Sequence, residues 1–259
     1  MPGEFHLPIA TLYGFLLVLA RIAGVFTLVP IPGFKQAPSI PRIVLAAGLT
    51  FALIPVWPSV AETEVGPGLL VLWMIDELAF GAAISVAVAF LNETFVLSSQ
   101  IFGLQAGFGY ASTIDPTTEA DSSVLQIMTH LVFGSLFFTL GLDGQIIRIV
   151  AQSLQAYPPG TYLLTVASGE QVLKLGTVMF STAVRFALPL IALLVLVDLS
   201  LALLGRINSQ LQLLTLAFPI RMLVSVGLLA ALTVVLPTLY RGAAEPTVRV
   251  LRTVLLPVR

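Results

Sequence analysis

The side chains of this sequence that could do chemistry are ionisable groups set inside long apolar runs. Such a group is unfavourable in an apolar environment unless it is paired or hydrated, so each one needs a partner. Pairing between helices or subunits would serve assembly, and a hydrated path would serve transport; the sequence leaves both uses open. The groups are Arg21, Asp76, Glu77, Arg185 and Asp198.

Two of these ions, Arg185 and Asp198, fall within one apolar run and carry opposite charges. Along a straight helix that rises 1.5 Å per residue they would lie about 20 Å apart, too far for an ion pair. Pro189 stands between them, and proline can kink or break a helix. We therefore predict that the two side chains pair only if the run bends back into a hairpin near Pro189.

Catalytic chemistry finds little support in the sequence. The two histidines, His6 and His130, are far apart, and the HExxH, Walker A and GxSxG patterns are absent. The chain has no cysteine, which excludes disulfides, thiolate metal sites and cysteine nucleophiles. We expect a protein that is not an enzyme and that holds no metal or cofactor. An intramembrane enzyme is therefore the least favoured of the functional hypotheses.

The elements that must position these ions are apolar helices. Of the 259 residues, 58% are hydrophobic and 10% are charged, and the mean hydropathy is +1.03. Because roughly 20 apolar residues make one spanning helix, we predict an all-α, polytopic integral membrane protein with about six hydrophobic helices. Residues 1–259 would form a single membrane domain, and a net charge of −1 argues against nucleic acid as a partner. The apolar runs are Leu12–Pro30, Ile43–Val60, Leu69–Phe90, Leu125–Leu142, Val172–Leu204 and Leu211–Leu239.

Charge is distributed unevenly along the chain, with no Lys or Arg between Arg42 and Arg148. By the positive-inside rule, the loop with Lys35 and Arg42 and the basic C-terminal tail face the cytoplasm, and the Glu62–Glu64 loop faces out. An N-terminus outside and a C-terminus inside require an odd number of crossings, which conflicts with six runs. We therefore expect a non-standard topology in which at least one run does not cross and the third or fifth run is broken or re-entrant.

A polar, glycine-rich insert at Gly103–Ser123 interrupts the apolar chain. Non-helical backbone at membrane depth persists only where protein buries it or where it lines a watery passage. Glycines permit positive φ and close approach, and an Asp-Pro pair favours a turn. Large apolar groups among the glycines suit a compliant plug in a protein-lined opening; an exposed loop or a small-residue packing motif are the alternatives. The residues concerned are Gly107, Phe108, Gly109, Tyr110, Ile114, Asp115 and Pro116.

Short motifs stand in a characteristic order along nearly the whole chain. They are Arg21 with Gly24, Phe26 and Pro30; Glu77 with Gly81; the GFGYASTIDP segment; Phe186 and Pro189 before Asp198; and Arg206, Ser209, Gln210, Phe218 and Pro219. In this order they resemble the FliR family of flagellar biosynthetic proteins. Ser209 stands where the family usually has proline, and Gln212 where it usually has asparagine, so the turn there departs from the family's pattern.

The resemblance implies a subunit of the type III export gate, which passes unfolded flagellar proteins across the bacterial inner membrane at the flagellar basal body. FliP-like and FliQ-like subunits would be its partners, together with FlhB-like and FlhA-like components and the lipid bilayer. The chain would join a FliP-like part, about 1–200, to a FliQ-like hairpin and basic tail, about 201–259. Much of such a gate lies above the bilayer plane, which would resolve the topology conflict.

The resemblance also implies roles for particular residues. It places the plug loop at Gly107–Ser122, with Phe108, Tyr110 and Ile114 as sealing side chains. The polar or assembly residues would be Arg21, Asp76, Glu77, Arg185, Asp198, Arg206, Gln210 and Pro219. The alternatives are an ion-coupled secondary transporter or small channel, and the equivalent subunit of a virulence-type secretion system.

Overall fold

The computed structural model describes residues 9–29, 39–57, 66–108, 123–161, 166–207 and 213–255, and in these residues it contains helices and no strand. The fold class is therefore all-α, as predicted. The helices are α1 (Ile9–Val25), α2 (Ser39–Ala52), a 3-10 turn at Ile54–Val56, α3 (Pro67–Ala106), α4 (Ser123–Thr139), α5 (Leu142–Ala156), α6 (Val166–Ile207), α7 (Leu213–Leu232) and α8 (Leu236–Leu255).

Two of the described helices are long and apolar enough to cross a membrane, at 67–106 and 169–207. Two sharply bent helix pairs, at 125–156 and 217–253, raise the number of crossings to four if each pair forms one span. The apolar parts of α1 and α2 that the structure describes, at 10–25 and 40–52, are shorter than a span. The described helices are those of a polytopic membrane protein, and among them fewer are long enough to cross a membrane than are apolar.

The expectation that the third or fifth run is broken is wrong. The third run lies in α3, which is continuous over 40 residues, and the fifth lies in α6, which is continuous over 42. Pro189 is inside α6, since an apolar setting offers the backbone no better partners than its own helical hydrogen bonds. The hairpin that would have joined Arg185 to Asp198 does not form, and the bends fall instead after α4 and after α7.

Helix α3 continues well beyond the end of the apolar run at Phe90. Its polar side chains at Asn92, Thr94 and Ser98 are buried, so they lie on the packed side of the helix rather than ending it. The predicted insert accordingly begins as helix, from Gly103 to Ala106. Hydropathy alone placed the boundary too early because it scores a buried polar residue as a break.

Two compact units make up the chain: residues 1–90, 137–176 and 245–259 form the first, and residues 91–136 and 177–244 form the second. In the first unit, α1 crosses α3 at Gly24 and Gly81. A Cβ atom on Gly81 would overlap the carbonyl oxygen of Arg21 and lie 2.9 Å from the amide nitrogen of Val25. Only glycine allows these two backbones to approach so closely.

Aromatic side chains form part of the core of the second unit. The Phe95 ring stacks on Phe133 at 4.1 Å between centroids and lies 5.4 Å from Phe186 and 5.1 Å from Tyr240. These distances are those of favourable aromatic pairs. A second buried cluster, Phe102, Ala106 and Leu194, joins the end of α3 to α6.

Candidate functional site

The candidate site lies in the second unit, at the C-terminal end of α3, and the backbone there is fixed. Gly107 has φ +86°, and its N–H donates to the carbonyl of Leu104 at 3.3 Å. The N–H of Phe108 donates to the carbonyl of Gly103 at 3.1 Å. This pair of bonds is the Schellman motif, which needs a left-handed residue, here glycine, after the last helical residue. The chain therefore leaves α3 in a defined direction at the first residue of the predicted plug loop.

Packing holds this helix end in place. Phe108 packs against the buried cluster of Phe102, Ala106 and Leu194. A Cβ on Gly107 would be in van der Waals contact with the ring of Phe218, at 3.5 Å, so that ring faces the glycine. The first two residues of the predicted loop are thus anchored to α6 and α7. Sealing by Phe108, Tyr110 and Ile114 stays a prediction.

A polar cluster lies on the same three helices. Asp198 of α6 forms an ion pair with Arg221 of α7, and the two side chains are 24% and 28% exposed. The amide nitrogen of Gln105 lies 3.5 Å from the other carboxylate oxygen of Asp198. The Arg221 guanidinium also lies 5.9 Å from the centre of the Phe218 ring, within range of a cation–π contact. We call Gln105, Gly107, Phe108, Asp198, Phe218 and Arg221 the α3-end site.

A second polar network, in the first unit, is fully buried. Arg21 is 0% exposed and binds both carboxylate oxygens of Glu77, one through Nε and the other through Nη2 at 3.0 Å. Its Nη1 donates to Ser153 Oγ at 3.1 Å, and its Nη2 donates to the Tyr157 carbonyl at 3.0 Å. The Gly160 N–H donates to Glu77 Oε1 at 3.0 Å. The network ties α1, α3 and the segment after α5 together.

The remaining predicted polar or assembly residues differ in burial. Asp76 is half-buried and forms no ion pair with another described residue. Arg185, Arg206 and Pro219 are exposed on the surface of the isolated chain. An assembly role for them stays a prediction. Gln210 lies outside the described residues.

Most of the predicted plug loop also lies outside the described residues. This applies to Gly109, Tyr110, Ile114, Asp115 and Pro116. Elsewhere, His130 Nδ1 lies 3.4 Å from the Asn92 amide, a packing contact of the second unit. The described residues contain no group of three or more side chains suited to hold a metal ion.

Sequence reasoning missed Arg221 and Gln105. Arg221 was detectable by the rule that identified the other ions, because it is a lone charge inside the last apolar run. It is also the partner that Asp198 needs. Gln105 carried no such signal, since a single amide near a helix end is common in any sequence.

Comparison with known proteins places the chain in a family. The family model of the bacterial export proteins, family 1, matches residues 12–246, and the chain belongs to that family. It is 27% identical to the flagellar biosynthetic protein FliR of Escherichia coli K12 over 215 residues, covering 83% of this chain and 82% of the relative. It is 26% identical to FliR of Bacillus subtilis 168 over 257 residues, covering 93% and 94%. The secretion system apparatus protein SsaT of Salmonella typhimurium LT2 is 25% identical over 179 residues, covering 67% and 68%.

These relatives and the helical fold together define a class. The chain is an integral membrane component of type III protein export, and membership of the family makes it part of a multi-subunit export apparatus.

Proposed function

We propose that this chain is the FliR-like subunit of a flagellar type III export gate in the bacterial inner membrane. There it would form, with FliP-like and FliQ-like subunits, the passage for unfolded flagellar proteins. Relatives with the FliR name that match more than 80% of this chain support the flagellar branch. The shorter match to SsaT makes the equivalent role in a virulence-type system the alternative.

The lengths of α3 and α6 carry the proposal of a multi-subunit gate. At 40 and 42 residues they are each about 60 Å long. The hydrocarbon core of a bilayer is about 30 Å thick and, even at a tilt of 40°, accommodates only about 40 Å of helix. Each helix therefore extends beyond the lipid by some 20 Å or more.

The part of α6 beyond the lipid needs a cover, because the helix exposes large apolar side chains over much of its length. Leu173 is 69% exposed, Phe180 59%, and Leu203 55%. Water is an unfavourable neighbour for such a stripe, and a surface of this kind is typical of a protein contact. FliP-like and FliQ-like subunits would cover it, with FlhB-like and FlhA-like components nearby. The exposed Arg185 and Arg206 would then find partners on those subunits.

We further propose that Gly107–Ser122 is the plug of the passage. A gate for unfolded chains must block ions at rest and yet open without a chemical step. Support comes from the start of the loop, where the Schellman turn at Gly107 and the packed Phe108 give the segment a firm base on α6 and α7. A firm base with glycine and bulky apolar residues beyond it would allow the tip to move while its root stays fixed.

The alternative of an ion-coupled transporter needs an ionisable group that can bind and release an ion. Glu77 does not meet this need, because Arg21 and the Gly160 N–H engage both of its oxygens in the protein interior. Glu77 therefore gives the transporter hypothesis no support.

The plug proposal is tested by replacing residues 110–121 with a Gly/Ser linker of equal length and by deleting them. Both variants are co-expressed with the companion subunits, and leakage of a small solute across the membrane is measured. We expect a complex of normal composition and a leaky membrane. A tight membrane with either variant would contradict the plug. The equal-length linker separates loss of the sealing side chains from shortening of the chain.

A further inference from the structure

An apolar cavity of about 260 Å³ lies in the first unit, among α1, α2, the end of α4, and α5. Its walls include Val25, Phe26, Leu45, Leu49, Ile146 and Val150. Asp143 is the one charged residue among the described residues that line it. The export function assigns no role to this cavity.

The cavity is open at its rim. Leu45 is 44% exposed, Phe138 42% and Ile147 38%. Its volume is just below the range of about 300–1,000 Å³ that is typical of small-molecule sites. An α-helix with its side chains is about 10–12 Å across, too thick for this space. A slender apolar chain fits it better.

Arg42, a cationic side chain, is not part of the cavity lining but stands just beyond it at one end, one helical turn before Leu45. Arg42 shares a face of α2 with Leu45 and Leu49, because residues three and seven positions apart point the same way. Its Nη1 donates to the carbonyl of Thr27 at 3.2 Å, at the end of α1 where Phe26 forms part of the cavity wall. Its Nε has no hydrogen-bond partner among the described residues. The rest of the half-buried guanidinium is a fork of donors of the kind that binds a phosphate.

Asp143 lies at the same end. Ser153 of α5 bonds Arg21 of α1, which sets the two helices side by side at that level. Asp143 comes ten residues before Ser153 on the same helix, so it is displaced by about 15 Å along α5. Val150 and Ile146 line the cavity with Val25 and Phe26, so the displacement runs toward the C-terminal end of α1. Among the described residues no ion pair joins Arg42 to Asp143.

We propose that this cavity binds a zwitterionic aminophospholipid of the bilayer. One acyl chain occupies the apolar cavity, the phosphate binds Arg42, and the ammonium group faces Asp143. A cation and an anion at one end of an apolar cavity match a headgroup that carries both charges, and they match a purely anionic headgroup less well. The proposal rests on the membrane setting of the chain and does not depend on its role in the export gate.

The test uses the full chain, alone and with its companion subunits, in nanodiscs of equimolar phosphatidylethanolamine and phosphatidylglycerol. After transfer to detergent, native mass spectrometry counts the retained lipid. We expect one phosphatidylethanolamine per chain. Retention falls about tenfold in Arg42→Leu, as for loss of a charge-assisted hydrogen bond. Leu49→Trp, which fills the cavity, abolishes it, and Asp143→Asn removes the preference over phosphatidylglycerol. Arg252→Leu, which changes an exposed arginine of α8, is the matched control and retains the lipid.

Three results would overturn the proposal. One is equal retention by the wild type, Arg42→Leu and Leu49→Trp. Another is a preference for phosphatidylglycerol in the wild type. The third is lipid on the isolated chain that disappears in the assembled complex, which would show that a companion's side chain is the natural occupant. Size-exclusion profiles confirm that each variant is folded, and Leu49→Phe, a smaller increase in volume that still fills part of the cavity, serves where Leu49→Trp does not fold.

Discussion

Removing one side of the Arg21–Glu77 pair should destabilise the chain strongly. The pair is buried, with side-chain exposures of 0% and 1%. Among the described residues, the Glu77 carboxylate keeps the Gly160 N–H as its partner in Arg21→Leu, and the guanidinium keeps Ser153, the Tyr157 carbonyl and the Phe80 ring in Glu77→Leu. Breaking a buried pair in this way costs about 3–5 kcal/mol. A typical protein has only about 5–15 kcal/mol of stability in total.

The double variant Arg21→Leu/Glu77→Leu separates a lost ion pair from a lost packing contact. It leaves no buried charge, although the Gly160 N–H and the Tyr157 carbonyl lose their side-chain partners. Each lost hydrogen bond of this kind costs about 1–3 kcal/mol. We therefore expect the double variant to lose less than the sum of the two single variants, by about 3 kcal/mol.

The assay is thermal unfolding of the purified chain in detergent, followed by size-exclusion chromatography at one fixed heating rate. At about 2–4 °C per kcal/mol, each single variant should lower the midpoint by roughly 6–20 °C. Arg185→Leu is the control: its side chain is exposed, so the midpoint should not fall, although co-assembly should. Additive losses in the double variant, or single variants as stable as the control, would refute the reasoning.

Three further predictions concern other contacts. Gly81→Ala should lower the unfolding midpoint, because its Cβ meets the backbone of α1, whereas Gly144→Ala, whose added Cβ has no atom within 4 Å, should leave the midpoint unchanged or raise it. Equal midpoints in the two variants would contradict the close crossing of α1 and α3. Arg221→Gln should increase solute leakage through the assembled complex, because the ion pair with Asp198 holds α6 and α7 together beside Gly107; the control Arg252→Gln should not. If neither variant makes the membrane leaky, the ion pair does not have this role. Tyr240→Phe should be as stable as the wild type or more so, since the buried hydroxyl has no partner among the described residues. Tyr240→Leu should lose the contacts with Phe95 and Phe133, at a cost of about 1–3 kcal/mol of stability. A large loss of stability in Tyr240→Phe would reveal a partner for the hydroxyl.

The apolar runs predicted six of the helices, because long hydrophobic stretches in one chain have few other folded forms. They missed α5 and α8, whose polar residues lower their hydropathy. In α5 the buried residues Leu142, Ile146, Ile149 and Ser153 nevertheless follow helical spacing, so periodicity would have found that helix. The hairpin near Pro189 that would have let Arg185 pair with Asp198 does not form, because a single proline does not outweigh the long apolar helix around it.

The site was predictable only in parts. Arg21 and Glu77 each stand out as ions in apolar runs, but their pairing depends on a helix crossing between residues far apart in sequence. Gly24 and Gly81 lie one turn beyond these ions, and only the packed structure gives the reason, which is the contact of two backbones. Arg221 could be noticed from the sequence alone, whereas its pairing with Asp198 could be seen only in the structure.

The most direct test of the account is native mass spectrometry of the tagged full-length chain, expressed with and without its FliP-like and FliQ-like companions. We expect a large complex that contains one copy of this chain whenever the companions are present. A chain that stays free of its co-expressed companions, or that forms a symmetric oligomer instead, would contradict the account, because the apolar surface of α6 would then need no cover from those subunits.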